Sequence, residues 1–361
     1  MRLLVLFLAL GLCSTGRADP RARPLTPPHK GNCQNPRWSP DGSRLAYEVN
    51  DHDRKVVELY VVTPGGSTPV RVRPHAPGAS GLTAGFRSQD ANVAQEISWS
   101  PASLGRFVYS ASGPQRDYDL YLDSGDPLSA SLGTDGGPAW SPTGDRIVFT
   151  SARTGQGDLY ALDVHDLDAP PLRLTRAPTS AEVFAAWAPD GRSLVYVVHD
   201  DAGDNLYLLD DIGRPEPRKL TGWDRTQTRP VFSPDGHSIA FYSNHVDPDR
   251  FDLYVLPLGG QPRLMARDVI LNGRGPSWTP DGRHLVFVRD EDARFDPVCA
   301  VPVDRPQAAC AIPTGTVGNG DLDVVLGAEG RVRLAVAAQG VTGDARRDFK
   351  RIYVLDLLGL P

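Results

Sequence analysis

Beyond its first dozen residues the sequence contains no long apolar run, and it has little lysine and no excess of positive charge. No later stretch is apolar for eighteen residues, so we expect no transmembrane segment in the remainder of the chain. Four lysines stand against 34 arginines, a bias that reflects genome composition rather than a site. The chain has a mild excess of acidic residues, which does not provide the basic face that nucleic acid requires. This argues against a nucleic-acid-binding protein.

The amino terminus reads as a secretory signal peptide. A short positive start precedes an unbroken apolar run over residues 3–12, and residues 16–18 form a small-x-small cleavage site. Removal of residues 1–18 leaves 36 basic and 44 acidic side chains, a net charge of −8. We predict a bacterial protein that is periplasmic or secreted. Lipoprotein processing at Cys13 is the alternative, disfavoured because Leu12 before it is not small.

Nearly the same twelve residues recur along the chain, as in the stretch that begins at Trp38 and the one that begins at Phe232. The first six copies are separated by 61, 41, 47, 45 and 46 residues, and a degenerate seventh copy is centred near residue 325. Periods of about 40–50 residues with four strand signals are typical of propeller blades. The anchor aromatics of the six clear copies are Trp38, Trp99, Trp140, Trp187, Phe232 and Trp278.

Each copy can be read as four strands, with the anchor at the end of the first. A Ser-Pro-Asp-Gly turn or a close variant follows, in which proline presets φ, aspartate bonds the backbone and glycine takes a positive φ. The second strand alternates apolar residues, as at Leu194 and Tyr196, which indicates one buried face. The third strand carries a Leu-Tyr pair and the fourth ends in Leu-Thr, as in residues 217–221.

The two ends of the chain complement each other. The last copy lacks a fourth strand, and Arg23–Thr26 (Arg-Pro-Leu-Thr) offers one before the first copy begins. We therefore predict residues 19–361 to be a single all-β domain, a seven-bladed propeller closed by pairing of the N-terminal strand with the last blade. Six blades with an irregular tail is the alternative, because the seventh copy lacks both tryptophan and the Ser-Pro-Asp-Gly turn.

The repeats that begin at Trp38 resemble those of the TolB-type propeller, a relative of tryptophan–aspartate (WD) repeat propellers, over nearly the whole chain after residue 18. The resemblance implies a propeller fold and an envelope protein or lipoprotein as partner. Similar blades also occur in prolyl oligopeptidase-like enzymes and in some polysaccharide lyases. TolB itself has a preceding α/β domain, whereas only residues 19–30 precede the first repeat here.

Two kinds of catalysis lack their usual sequence signals. No Gly-x-Ser-x-Gly elbow is present, and the repeats leave no residues for a hydrolase domain. No His-Glu-x-x-His occurs, and the eight histidines are scattered. We therefore expect no enzyme activity. The alternative is a lyase that acts on an acidic polysaccharide with a bound divalent cation.

The turns between the second and third strands are rich in acidic residues and lie on one face of the predicted ring. Such carboxylates could attract a basic partner or hold a divalent cation such as calcium, although aspartate also favours solvated turns for its own sake. We expect no cofactor, with calcium as the alternative. The candidate binding residues of this acidic-turn face are Asp51, Asp53, Asp200, Asp201, Asp247, Asp249, Asp290 and Asp292.

Two further features interrupt the repeat. Trp223 lies in a connection between blades, where a large aromatic side chain is a candidate for ligand or partner contact. Residues 75–96 lengthen the first interval by about fifteen residues, on the same face as the acidic turns. Long loops in compact folds are usually functional or disordered.

Three cysteines follow the signal peptide. Cys299 takes the place of the tyrosine on a third strand, and Cys310 lies on the following fourth strand. We predict a disulfide between them, because a hairpin would set them side by side in an oxidising compartment. Cys33 would then be a buried free thiol. Taken together, these features predict a non-catalytic, TolB-like propeller that acts as a protein-binding scaffold.

Overall fold

The computed structural model describes residues 22–51, 53–65, 68–73, 97–112, 117–129, 133–273, 275–291, 296–327, 330–340, 349–357 and 360. These residues form seven antiparallel sheets arranged as the blades of a β-propeller, which confirms seven blades over six. They contain no helix, and hence none that could cross a membrane.

The first four blades follow the repeat closely. Blades 1, 3 and 4 are four-stranded sheets with neighbouring strands in chain order, whereas blade 2 has three strands and a single outer bridge between Tyr121 and Pro127. The chain begins with β1 (Arg23–Pro24), which belongs to the last blade. The strands of the first four blades are β2 (Asn32–Trp38), β3 (Leu45–Asp51), β4 (Val56–Val62), β5 (Val70–Val72), β6 (Ser98–Trp99), β7 (Phe107–Ser112), β8 (Tyr118–Leu122), β9 (Asp135–Trp140), β10 (Arg146–Ser151), β11 (Asp158–Asp163), β12 (Leu172–Arg173), β13 (Ala181–Trp187), β14 (Leu194–Asp200), β15 (Gly203–Leu209) and β16 (Pro217–Lys219).

The last three blades are less regular. Blade 5 is again four-stranded, but the innermost strand of blades 6 and 7 is split into two short pieces that pair with the same neighbour. The strands are β17 (Gln227–Phe232), β18 (Ser238–Ser243), β19 (Asp252–Pro257), β20 (Arg263–Ala266), β21 (Val269–Ile270), β22 (Ser277–Trp278), β23 (His284–Arg289), β24 (Val298–Pro302), β25 (Cys310–Ala311), β26 (Thr316–Val317), β27 (Leu322–Leu326), β28 (Val332–Gly340) and β29 (Arg351–Leu357).

The ring closes as the sequence predicts. Strand β1 pairs antiparallel with β29, with Arg23 opposite Val354. The next residues continue the seam, since the Thr26 hydroxyl accepts a hydrogen bond from the Ile352 amide at 3.1 Å and the Thr26 carbonyl accepts one from Nε of Arg351 at 2.9 Å. The first and last parts of the chain therefore share blade 7, which removes two exposed sheet edges.

The core lies between neighbouring blades. Each apolar cluster combines side chains of two successive sheets, as where Tyr242 of blade 5 packs with Phe287 of blade 6. Three of the five anchor tryptophans, Trp99, Trp187 and Trp278, add hydrogen bonds across the same seams. Indole Nε1 of Trp99 donates to the carbonyl of Arg37 at 3.1 Å, and Nε1 of Trp187 donates to that of Ala139 at 2.9 Å. These anchors therefore join neighbouring blades.

The predicted disulfide between Cys299 and Cys310 is wrong. Cys299 is a free, fully buried thiol on β24, where it lies opposite Ala311, while Cys310 on β25 lies opposite Ala300. Successive residues of a strand point to opposite faces of a sheet, so this register places the two sulfur atoms on opposite sides. Cys33 is a free, fully buried thiol, as predicted.

Candidate functional site

A bulge shapes the innermost strand of several blades at the same place, three residues before the anchor. The pairing register shifts there in β2, β13 and β17. A bulge of this kind bends the strand and re-aims the side chain at the extra residue. In the part of the chain that the structure describes, the residue at this place has a positive φ in five blades, at Asn35 (48°), Gly137 (59°), Phe184 (55°), Arg229 (52°) and, where the innermost strand of blade 6 is split, Gly275 (108°).

Next to these bulges, anchors and turn prolines line the mouth of the central channel, which we call the funnel. One cavity of about 470 Å³ is lined by Trp99, Trp140 and Trp187 together with the two bulge residues Phe184 and Arg229. A second cavity of about 460 Å³ adjoins it. The two cavities share the lining residues Pro40, Trp99, Pro142, Trp187 and Val231, so they form one continuous funnel.

The funnel opens on the face opposite the acidic turns. Its rim contains Pro40, Pro142 and Pro234, which belong to turns between the first and second strands. The acidic turns join second and third strands, and successive turns of an antiparallel sheet lie at opposite ends of the strands. The sequence analysis used the anchors only as markers of the repeat and did not identify the wall that they form together with the prolines.

The bulge residues were also missed by sequence reasoning. Glycine and asparagine tolerate a left-handed backbone conformation, and their presence at positions 137 and 35 was the available signal. Phenylalanine and arginine at the equivalent positions 184 and 229 carry no such signal.

Several buried polar groups of the ring have unused hydrogen-bonding capacity. Glu48 is fully buried, and its Oε2 accepts bonds from Gln34 and Asn35 at 2.9 Å, while its Oε1 has no partner. Burial raises the pKa of Glu48 to about 7. Tyr242 and Asn272 each keep one buried oxygen without a hydrogen bond.

Three of the eight predicted acidic residues serve their own turns. Oδ2 of Asp51 accepts a hydrogen bond from Nε of Arg54 at 2.7 Å. Oδ1 of Asp200 accepts one from the amide of Ala202 at 2.8 Å, and Oδ1 of Asp247 accepts one from the amide of Asp249 at 3.0 Å.

The remaining members of the acidic-turn face are less constrained. Asp53, Asp201, Asp249 and Asp290 are exposed, and Asp292 lies outside the described residues, as does the long loop 75–96. Within the part of the chain that the structure describes, no three or more His, Cys, Asp or Glu side chains are grouped so that they could hold a metal ion. A binding role for the acidic-turn face stays a prediction.

Trp223 packs on the outer part of blade 5 rather than standing free. Its ring stacks on the His245 imidazole with centroids 3.9 Å apart and meets Tyr254 edge-on at 5.2 Å. Desolvation lowers the pKa of His245, whose Nδ1 is buried without a partner. This contact explains why a tryptophan outside the repeat occurs here, and a ligand role for it stays a prediction.

The chain is similar in sequence to several curated proteins, although no protein-family model matches it. It is 28% identical over 163 residues to a TolB homolog of Chlorobium luteolum, covering 44% of this chain and 35% of that protein. It is 30% identical over 158 residues to an uncharacterized protein, Atu1656, of Agrobacterium fabrum, covering 40% and 52% respectively. A Tol-Pal system protein TolB of Francisella tularensis is 28% identical over 178 residues, which is 41% of its length. The matches thus span about a third to a half of these relatives.

Solved structures share the fold at low sequence identity. TolB of Acinetobacter baumannii superposes with a TM-score of 0.53 at 18% identity, covering 76% of this chain and 68% of that one. Hydrazine synthase of Kuenenia stuttgartiensis gives 0.56 at 15% identity and covers 95% and 97%. The propeller domain of a Pyrococcus furiosus protease gives 0.51 at 14% identity, covering 77% and 84%. Likeness at this level of identity shows the fold alone.

Proposed function

Because the chain is a TolB-type β-propeller protein, we propose that it is an exported, non-catalytic scaffold that binds a protein partner of the cell envelope in its funnel. The observation that carries this proposal is the funnel itself. Each of its two cavities lies within the range of about 300–1,000 Å³ found for ligand pockets, and its wall is apolar with few polar groups.

The nature of the partner follows from the resemblance. Relatives of this chain carry the name Tol-Pal system protein TolB, so an envelope protein or lipoprotein is the partner that we propose, with the periplasm as the compartment. The signal peptide predicted over residues 1–18 is consistent with that compartment.

Catalysis receives less support than binding. The enzymes among the structural neighbours share only the fold, and the metal-dependent lyase would need ligands gathered at one end of the channel. The described residues contain no such group. The rigid ring and its funnel fit a binding function without any further group.

An obstruction experiment tests the proposal. Ala102 is exposed on the rim of the funnel, so Ala102→Trp should fill its mouth without entering the core. Ala202 is exposed in an acidic turn on the opposite face, and Ala202→Trp is the matched control. Each tagged protein is incubated with envelope extract, captured proteins are identified by mass spectrometry, and binding is measured again with the purified partner.

We expect Ala102→Trp to lose the partner and Ala202→Trp to retain it. Loss with the Ala202 variant alone would assign binding to the acidic-turn face and overturn the funnel as the site. Unchanged capture by both variants would also remove the funnel from the function.

A further inference from the structure

Two bulky side chains occupy a backbone conformation that they ordinarily avoid. Phe184 and Arg229 both have a left-handed φ at the bulge, where blade 3 has Gly137 and blade 1 has Asn35. Left-handed backbone is rare for large side chains and tends to occur at functional sites. Because other blades of the same chain form this bulge with better-suited residues, the fold does not itself require phenylalanine or arginine.

The two residues meet in one sector of the funnel. The guanidinium carbon of Arg229 lies 5.4 Å from the centroid of the Phe184 ring, a distance at which a cation is attracted to the aromatic face. Trp187 follows Phe184 on the same strand and is only partly buried, whereas Trp99 and Trp140 are 8% and 6% exposed. The accessible aromatic surface of the funnel is therefore concentrated beside Arg229.

Arg229 is not paired with a carboxylate in the part of the chain that the structure describes. Its Nε is buried without a hydrogen-bond partner, and among the described residues it forms no ion pair. It is also the sole charged residue among those that line the 470 Å³ cavity. Most of the other arginines that the structure describes pair with aspartate or glutamate. An unpaired positive charge at an apolar wall favours an anion supplied from outside.

The acidic residues of the neighbouring wall are already engaged. Oδ2 of Asp323 accepts a hydrogen bond from the amide of Trp38 at 2.8 Å. Oδ1 of Asp321 accepts one from the amide of Gly273 at 3.1 Å. Arg37, the second arginine of the funnel, donates to main-chain carbonyls, including that of Pro36 at 2.9 Å. Charge complementarity therefore singles out Arg229.

We propose that Arg229, supported by Phe184 and flanked by Trp187, binds a carboxylate in an extended segment of the partner protein. The planar guanidinium can donate two parallel hydrogen bonds to a carboxylate. The adjoining aromatic and proline side chains would contact apolar or proline residues on either side of that carboxylate, as aromatic-lined grooves do with extended peptides. The inference rests on the proposed function, since it names what the funnel recognises.

A peptide selection with a double-mutant cycle tests the inference. Random decapeptides displayed on phage are selected on the wild-type protein, with the Ala102→Trp variant used to discard binders outside the funnel. A selected peptide and its counterpart with glutamine in place of the acidic residue are then titrated by calorimetry against wild type and Arg229→Asn. Asparagine occupies the equivalent bulge at position 35, so this variant should fold. Arg229→Lys is a second variant that keeps the charge and loses the planar fork.

We expect the selected peptides to carry an acidic residue next to proline or aromatic residues. The amide counterpart should bind wild type at least tenfold more weakly, and that difference should fall to about twofold or less in Arg229→Asn, with Arg229→Lys in between. Peptides that bind in the funnel without an acidic preference, or with a preference that persists in Arg229→Asn, would overturn the role of Arg229 and leave the funnel as the binding site. If no peptide depends on the funnel, the proposed function fails as well.

Discussion

The two faces of the ring differ in how their polar and aromatic groups are used. On the acidic-turn face, carboxylates such as Asp51 and Asp200 close the hairpin turns that carry them. On the funnel face, bulges, turn prolines and anchors from successive blades converge on a shared cavity. A residue type that is frequent in turns therefore says little about binding, because the turn itself accounts for it. Groups that the local fold does not need, such as Arg229, are more informative.

The faces also differ in how closely the blades approach. At Gly275, between β21 and β22, an added Cβ would lie 2.5 Å from the carbonyl oxygen of Arg229 and 2.7 Å from Cγ2 of Val231. At Gly155, in the turn between β10 and β11 on the acidic-turn face, nothing lies within 4 Å of an added Cβ. Blades 5 and 6 therefore meet through backbone contact behind the funnel wall.

The largest effect is expected from Gly275→Ala. Its positive φ of 108° is unfavourable for alanine, and the collision with β17 adds overpacking, so we expect a loss of about 4 kcal/mol in the free energy of unfolding. Gly155→Ala has the strain of its φ of 138° without the collision and should cost about 1 kcal/mol. Urea denaturation measures both. Equal losses would mean that the funnel side is not packed more tightly than the acidic-turn side.

A pH-dependent effect is expected from the buried carboxyl group between the two faces. The pKa of Glu48 is about 7 in the folded protein and about 4.3 in an unfolded chain. Between these values the unfolded state binds fewer protons than the folded state, so the folded protein loses stability as the pH rises through this window. Glu48→Gln keeps the size and an acceptor for Gln34 and Asn35 without the charge.

We expect Glu48→Gln to increase the free energy of unfolding at pH 8 by about 2–3 kcal/mol and to change it little at pH 4.5. Burial also raises the pKa of Glu182 to about 7, and this residue is unchanged in the variant. Glu48→Gln should therefore reduce the dependence of stability on pH without abolishing it. Thermal unfolding scans from pH 4.5 to 8 measure the slope. A wild-type slope that Glu48→Gln leaves unchanged would show that Glu48 is not a source of the pH dependence.

The sequence predicted the ring well because each copy of the repeat carries the signals of the strands and turns of one blade. The anchor intervals, the alternation in the second strand and the Arg-Pro-Leu-Thr segment together specified seven blades and their closure. The bulges were not predictable in the same way. Asn35, Gly137, Phe184 and Arg229 share a backbone conformation but no chemistry, so comparison of the copies does not reveal a common role. The disulfide failed for a related reason, since a pairing shift of one residue reverses the face of every side chain.

A smaller effect is expected from the anchors of the funnel wall. Nε1 of Trp99 donates across the seam to the carbonyl of Arg37, whereas Nε1 of Trp38 is buried without a partner. Both rings are almost fully buried, at 8% and 5% exposed, so replacement by phenylalanine removes a similar apolar area. We expect Trp99→Phe to cost about 1 kcal/mol more than Trp38→Phe, because it also removes a hydrogen bond. Urea denaturation of the two variants, run side by side, measures this difference. Equal losses of unfolding free energy would mean that the indole hydrogen bond of Trp99 does not hold the blades together.

The smallest effect is expected from neutralising the exposed carboxylates of the acidic-turn face. Asp53, Asp201 and Asp249 are exposed, and replacement of all three by asparagine keeps their capacity to accept hydrogen bonds in turns. The free energy of unfolding should change by no more than about 0.5 kcal/mol per site.

Affinity for the captured partner should change by less than about twofold in 0.15 M salt, because charges more than about 8 Å from the binding site are largely screened there. The affinity of the triple variant is measured by calorimetry, with wild type and Ala102→Trp as the reference proteins. A tenfold loss in the triple variant, with Ala102→Trp unaffected, would transfer recognition to the acidic-turn face, and a loss in both variants would mean that the partner spans the ring.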